Sequence, residues 1–416
     1  MSVIKIFNST GDHNYPIIRP TLDLNFARTK TIDPRITFTR NSGGTYVGAD
    51  GLIKYAGVNE ARFDHNPLTK ESLGLLIEES RVNLDTASAT PSINWSASNG
   101  SWSTVTGITA PDGSTSVNLF TENTSNTTHG SGRFYDNTYT GHALSFFVKS
   151  NGRNRFYINL DTPAGISNQA LVNLSSGTVT PVSTGLRSYK LVPYPNNWYR
   201  LEIVSGSGNR GYISIDLAND TNNTTYTGNG SGIYFWGMQY EKGVSFCTSY
   251  IPTSGSAVTR SADVASITGT NFSSWFNPTE GSFISNSQWN GTSLYGNAFI
   301  WAIDNGSTSQ RYAFYSPTNT TRTLYTESSS GRIDISAPSN SSTKVAFSYS
   351  EKQQTVFRGG FTGGSSTNIY PIGLNRFTFT PYESAISAAP GSIHHSNLTY
   401  YPKRLSNAQL QVLTQS

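Results

Sequence analysis

The chain has 416 residues and a mass of 45.2 kDa, a length that suits two or three domains. Charged residues make up only 13% and the net charge is +4, with Lys and Arg scattered, so no phosphate-tracking patch exists and nucleic acid is excluded as a partner. The single cysteine, Cys247, excludes an internal disulfide framework, and no apolar run reaches the roughly 18 residues of a membrane span, which excludes membrane insertion.

Residues 1–35 read as an extended arm. Pro16, Pro20 and Pro34 limit regular structure there, while Ile17, Ile18, Leu22, Leu24 and Phe26 supply apolar grip. Such an arm docks on something else, and these five residues are the candidate assembly contact. The opening MSVIKIFNSTGDHN is too short and too polar in its apolar run for a signal peptide. Asn-x-Ser/Thr triplets are frequent, among them those at Asn94, Asn123, Asn126 and Asn271, as a chain this rich in these residues makes them by chance, and without a secretory signal they are read as unglycosylated.

From Thr37 to Leu84 the pattern is of short strands and turns. Ile36, Phe38 and Arg40 fall on one face and Thr37 and Thr39 on the other. Asp50-Gly51 is a hairpin dipeptide between Tyr46-Val47 and Leu52-Ile53, and Leu73, Leu75 and Ile77 alternate again. The run TFTR-x-S-x-x-TYV, then DGLI, ARFDHNP and ESLGLLIEESR-x-NL, resembles a segment found in virion structural proteins of tailed bacteriophages, of the tail-fibre or appendage type. The resemblance implies a particle component made in the host cytoplasm and carried on the virion surface. It also implies other virion proteins as partners and a homo-oligomer, with a trimer favoured. The expected domain limits are residues 1–84 for the arm and docking segment, 85–262 for a first sandwich and 263–416 for a second.

Residues 85–262 carry many short strands: Ser145–Lys149, Arg155–Leu160, Ala170–Leu174, Trp198–Val204, Gly211–Ile215 and Gly232–Trp236, with turn signals between them. The ordered series Ala110-Pro111-Asp112-Gly113, Ser145–Lys149, Leu174–Gly177, Asn197–Leu201, Trp236–Glu241 and Thr248–Thr253 resembles the carbohydrate-binding-module type of jelly roll. That resemblance implies a fold, and by analogy a host surface glycan as partner. Trp198, Tyr199 and Trp236 lie within strand motifs and are assigned to the core. Trp95 and Trp102, in the Ser/Asn-rich NWSASNGSW, are read either as anchors of a loop or as the candidate exposed platforms for sugar stacking.

Residues 263–416 read as a second sandwich. Its tail, HHSNLTYYPKRLSNAQLQVL, contains a capping box at Ser406 and Gln409 and a staple at Leu405 and Leu410. The tail resembles the last strand and short helix of laminin-G or concanavalin-like sandwiches. The expected fold is thus all-β: two tandem jelly-roll or β-sandwich domains preceded by an arm and docking segment.

The sequence carries few motifs of chemistry. There is no Walker loop, H-E-x-x-H, G-x-S-x-G or C-x-x-C. His394-His395 and Glu78-Glu79 are adjacent strand positions that point to opposite faces, so neither pair converges on a metal or a scissile bond. No catalytic residue, metal or cofactor is expected. The leading expectation is a non-enzymatic surface appendage that contacts host glycans. The alternatives are a capsid decoration or head-fibre protein, and a polysaccharide depolymerase.

Overall fold

A computed structural model describes residues 15–415 except 136–140, 161–167, 207–210, 290–297, 308, 317–320, 328–330, 337–342, 352, 367–370 and 380–390. Residues 1–14 of the expected arm lie outside the described residues. The chain is all-β, as its composition implies, and among the described residues every strand pair within its sheets is antiparallel.

The jelly roll has two six-stranded sheets among the described residues. The covered sheet runs, in spatial order, Leu186–Tyr194, Trp198–Ser205, His142–Asn151, Gly232–Lys242, Ser116–Glu122 and Gly100–Thr106. The open sheet runs Thr178–Pro181, Gln169–Asn173, Arg155–Leu160, Gly211–Ala218, Gly130–Tyr135 and Ser96–Ser98. Period-two alternation sends Phe156, Ile158, Ile213 and Ile215 inward from the open sheet, against Leu144, Phe146 and Phe235 of the covered one. Cys247 is buried beside Ala143, Val204 and Val244, where burial pushes its thiol well above the ordinary value.

Among the described residues, the second sandwich has an eight-stranded and a seven-stranded sheet. Its construction corrects the expected division at Leu84. The strand Ser72–Glu78 pairs with Ser392–Tyr401, with Ile77 opposite Ile393. Further along the same strand, Leu22–Leu24 pairs with Leu398–Tyr400. Thr37–Thr39 adds to Val264–Thr268. The arm and docking segment are therefore strands of the last domain, and the jelly roll is an insertion into that domain. Its inbound and outbound segments, Arg81–Asn83 and Val258–Arg260, pair as a two-stranded stalk. The physical reason is burial: a segment too short to bury its own apolar face completes a sheet that needs it.

The candidate assembly contact is corrected by the same observation. Leu22, Leu24 and Phe26 are 0%, 2% and 1% exposed and belong to the core of the second sandwich, so they have no surface to offer a partner. Ile17 and Ile18 remain outside, at 91% and 38% exposure.

Two features bind the jelly roll to its host domain. The hairpin of Gly44–Val47 and Ile53–Ala56 lays Val47 and Ile53 against Phe147, Trp198, Trp236 and Tyr250. This covers Trp198 and Trp236, which are 1% and 3% exposed. Beside it lies a buried ion network. Arg62 bonds to Asp263 and, at 2.7 Å, to Glu78; Arg40 reaches Asp263 at 2.9 Å; Arg260 bonds to Glu78. Ser249, from the jelly roll, donates its hydroxyl to Glu78 at 2.6 Å. Burial opposes the Glu78 charge, but Arg260 and Arg62 overcome it and hold the carboxyl far below the ordinary carboxylate range.

Glu79, just past the end of that strand, behaves oppositely. Burial pushes it up to about 7, against the pull of Arg81 and Arg260. A carboxyl raised in the folded state stabilises the fold fully below its unfolded value and loses that contribution as pH rises through the folded one. Stability is therefore expected to fall between about pH 4.3 and 7. Thermal melting of Glu79→Gln should lack that decline; an unchanged slope would reject the assignment.

Candidate functional site

Trp95 and Trp102 are not exposed platforms. Trp95 is 3% exposed, and its indole N–H donates to Asp85 Oδ2 at 3.3 Å. Trp102 is half-buried, donates to Ser131 Oγ at 2.9 Å, and packs against Phe120 and Phe235 with ring centroids 5.3 Å away in each case. The Ser/Asn-rich stretch that contains them is not a loop. It forms Ser96–Ser98 and Gly100–Thr106, the edge strands of the two sheets. Trp102 points inward between outward serines, and both indoles close the edge of the core.

The aromatic surface lies instead on the outer face of the open sheet. Register sets its membership. Tyr157 lies opposite Asp216, Asn159 opposite Ser214, and Phe134 opposite Tyr212. These residues alternate with the buried Phe156, Ile158, Ile213 and Ile215, so all six project away from the core. Phe134 is 65% exposed and its ring centroid is 4.5 Å from that of Tyr212.

Two glycines shape the floor of this face. A Cβ at Gly132 would meet the Tyr212 hydroxyl at 2.4 Å, and one at Gly130 would meet Asp216 Oδ1 at 2.5 Å. The absence of side chains there lets Tyr212 and Asp216 lie over the neighbouring strand. Asp216 accepts from Asn159 Nδ2 at 2.9 Å and from Ser214 Oγ at 3.4 Å. Burial raises its carboxyl above the ordinary value, with those two donors opposing. The Asn159 carbonyl oxygen has no protein partner among the described residues. Tyr157 donates to the Asn222 carbonyl at 3.1 Å, which fixes its ring at the face's edge.

The face thus offers aromatic rings beside a carboxylate, an amide and a hydroxyl. Rings cover the C–H surfaces of a sugar, and the polar groups bond its hydroxyls. The signal was present in the sequence as RFYINL and GYISID, whose outward positions spell Tyr, Asn and Tyr, Ser, Asp. The stretches read as strands, but only the register between them places their outward residues on one surface.

The adjacent pairs diverge. His394 Nε2 lies 2.7 Å from Asp64 Oδ2, while His395 faces the core, 3.1 Å from Ser287 Oγ, where burial lowers its imidazole to about 3. Glu78 joins the ion network and Glu79 pairs with Arg81. Among the described residues no three His, Cys, Asp or Glu side chains are grouped to hold a metal, and no helix is long and apolar enough to cross a membrane.

No family model matches the chain, and no curated protein does. Several solved structures share its β-sandwich character at low similarity. One is the Ruminococcus gnavus IT-sialidase CBM40 bound to α2,3-sialyllactose, with 16% identity, a TM-score of 0.27, and coverage of 34% of this chain and 84% of that one. Another is the heptameric SAP-like pentraxin of Limulus polyphemus, with 13% identity, a TM-score of 0.26, and coverage of 33% and 70%. A third, described as a receptor binding domain, has 12% identity, a TM-score of 0.28, and coverage of 37% and 39%. At these scores the likenesses carry no argument about what this chain binds.

Proposed function

We propose that this chain is a non-enzymatic component of a tailed-bacteriophage particle and that its jelly roll binds host surface glycans through the open sheet face. The observation that supports binding is the grouping of Phe134, Tyr157 and Tyr212 with Asn159, Ser214 and Asp216 on an uncovered sheet. The particle assignment rests on the phage-type segment from Thr37 to Leu84. Each contact is weak, and many copies on one particle raise the effective concentration at the cell surface. A surface appendage or tail fibre, as a homo-oligomer held by other virion proteins, is the form of particle component proposed.

A glycan array probed with the folded chain tests the reading. Tyr212→Ala and Tyr157→Ala are expected to weaken retention by about tenfold each, since an aromatic contact of roughly 1 kcal/mol or more is lost together with its buried area. Trp102→Ala is not an equivalent control, because it opens the core. Retention unchanged in both tyrosine variants would reject the site. Replacing Ile17 and Ile18 with Asp tests the assembly contact that remains exposed: the variant should fold normally and be missing from purified particles. Normal incorporation would reject that role.

A further inference from the structure

One edge of the covered sheet is built unlike the others. The outermost strand of a sheet invites another strand to add to it, and proteins guard against this with short length, charge, proline or a bulge. Among the described residues, the edges of the four large sheets carry these guards. Thr37–Thr39 and Ser96–Ser98 are three residues long, and Arg62–His65 is short and charged. Thr178–Pro181 is short and ends in proline, while Leu186–Tyr194 carries Arg187, Lys190, Pro193 and a bulge. Gly331–Ser336 contains Arg332 and Asp334, and Phe361–Ser366 is bulged against its neighbour. Gly100–Thr106 has none of these. It is seven residues long, uncharged and free of proline, and it pairs with Ser116–Glu122 without a register shift.

The free side of this strand follows from its paired side. The Asn123 N–H donates to the Asn99 carbonyl at 3.0 Å, and the Gly107 N–H donates to the Thr115 carbonyl at 2.9 Å. Hydrogen-bonded pairs alternate along an antiparallel ladder, so the odd-numbered residues bond to Ser116–Glu122. Gly100, Trp102, Thr104 and Thr106 therefore turn their N–H and C=O groups off the edge. None of those groups has a protein partner among the described residues. The adjacent turn Pro91–Ile93 leaves the strand open, since Ser101, Ser103, Thr104 and Thr106 are all exposed.

We infer that this edge pairs with the same edge of a second copy of the chain, antiparallel, about a two-fold axis at Ser103. The strand complements itself in that register. Gly100 lies opposite Thr106 of the partner subunit, Trp102 lies opposite Thr104 of the partner subunit, and the two-fold repeats both pairs. Each of the four pairs exchanges two bonds, so eight backbone hydrogen bonds form and every outward group is used. Ser103 meets Ser103 of the partner subunit on the axis, and no charge opposes a like charge. A foreign strand is selected by side-chain pockets or by charge, and this edge offers neither; a second copy needs only the register. A two-fold contact closes on itself, which gives a dimer and not a fibre. The axis of an antiparallel pair stands perpendicular to the sheet, so the two jelly rolls lie side by side with their open faces turned the same way. The inference does not rest on the glycan reading; where that reading holds, one dimer presents two sites to one surface.

The test is sedimentation equilibrium of the full chain over a range of concentrations. A species of twice the 45.2 kDa of one chain is expected to grow with concentration. Ser103→Lys sets two cations against each other at the axis and should raise the dissociation constant about tenfold or more. Ser103→Glu should do the same with two anions. An equimolar mixture of the two variants should recover the dimer, because a residue on the axis meets its own counterpart. Ser103 is exposed, so both variants should keep the native melting temperature. Should either fail to fold, Thr104→Pro decides, since it deletes an outward N–H and spares the ladder with Ser116–Glu122. Tyr212→Ala should dimerise like the native chain. A monomer at every concentration would overturn the inference. An oligomer that survives the charge variants, or a mixture no tighter than its components, would overturn it too and leave the homo-oligomer reading to another surface.

Discussion

Asp263→Ala is expected to cost about 3–5 kcal/mol of folding stability, the range for removing one partner from a buried ion pair. Asp263 is 4% exposed and serves two guanidinium groups, those of Arg40 and Arg62, which are 1% and 0% exposed. It also accepts the Glu78 backbone N–H at 2.8 Å. Truncation leaves two buried cations short of a partner, and the protein interior solvates them poorly. A urea midpoint shifted by less than the equivalent of about 1 kcal/mol would show the network to be inessential. Acid titration reads the same network from the other side. The folded Glu78 value is depressed, so its contribution is present above about pH 4.3 and is lost as pH falls through the folded value.

Phe26→Ala is the second large effect, at about 3–5 kcal/mol, with Leu24→Ala at about 2–5 kcal/mol. Phe26 meets the edge of Phe379 with ring centroids 5.6 Å apart, and both residues are buried in the second sandwich. The two readings of these residues differ sharply in the isolated chain. As core residues they lower the melting temperature of the purified protein. As contacts for another protein they would leave it unchanged and affect assembly alone. An unshifted melting curve for both variants would return them to the assembly role.

Local patterns were legible and long-range partners were not. The Asp50-Gly51 hairpin and the Ser406–Gln409 capping box depend on residues within a few positions of each other, and the structure forms both. The inward alternation of Phe156, Ile158 and Leu160 was equally plain, because period two needs no partner to be read. By contrast, Ile77 finds Ile393 from the far end of the chain, and Arg62 finds Asp263 across 201 residues. Nothing local distinguishes a segment that docks on another subunit from one that completes its own chain's sheet. Trp95 and Trp102 misled because polar neighbours suggest a loop, whereas an edge strand with one solvated face has the same composition. The open face was hidden for a related reason: Gly130 and Gly132 matter through the space they leave, which a one-dimensional pattern does not display.

The two-stranded stalk has a mechanical consequence. Tyr15 and Gln409, near the two ends of the described chain, touch through a hydrogen bond of 3.4 Å, and both belong to the host sandwich. Tension applied between those regions runs through the strands around Ser392–Tyr401 and bypasses the jelly roll altogether. The jelly roll lies beside the line of force, held by Arg81–Asn83 and Val258–Arg260 together with the docked hairpin and the ion network. Under the proposed function, a pull between the mount and that end region would strain the host sandwich and leave the jelly roll unloaded, whereas a pull through a bound ligand would load the jelly roll itself. In that case both stalk strands carry the load in parallel, the contacts between the jelly roll and the host sandwich yield first, and single-molecule pulling from the two attachment geometries should give different rupture forces.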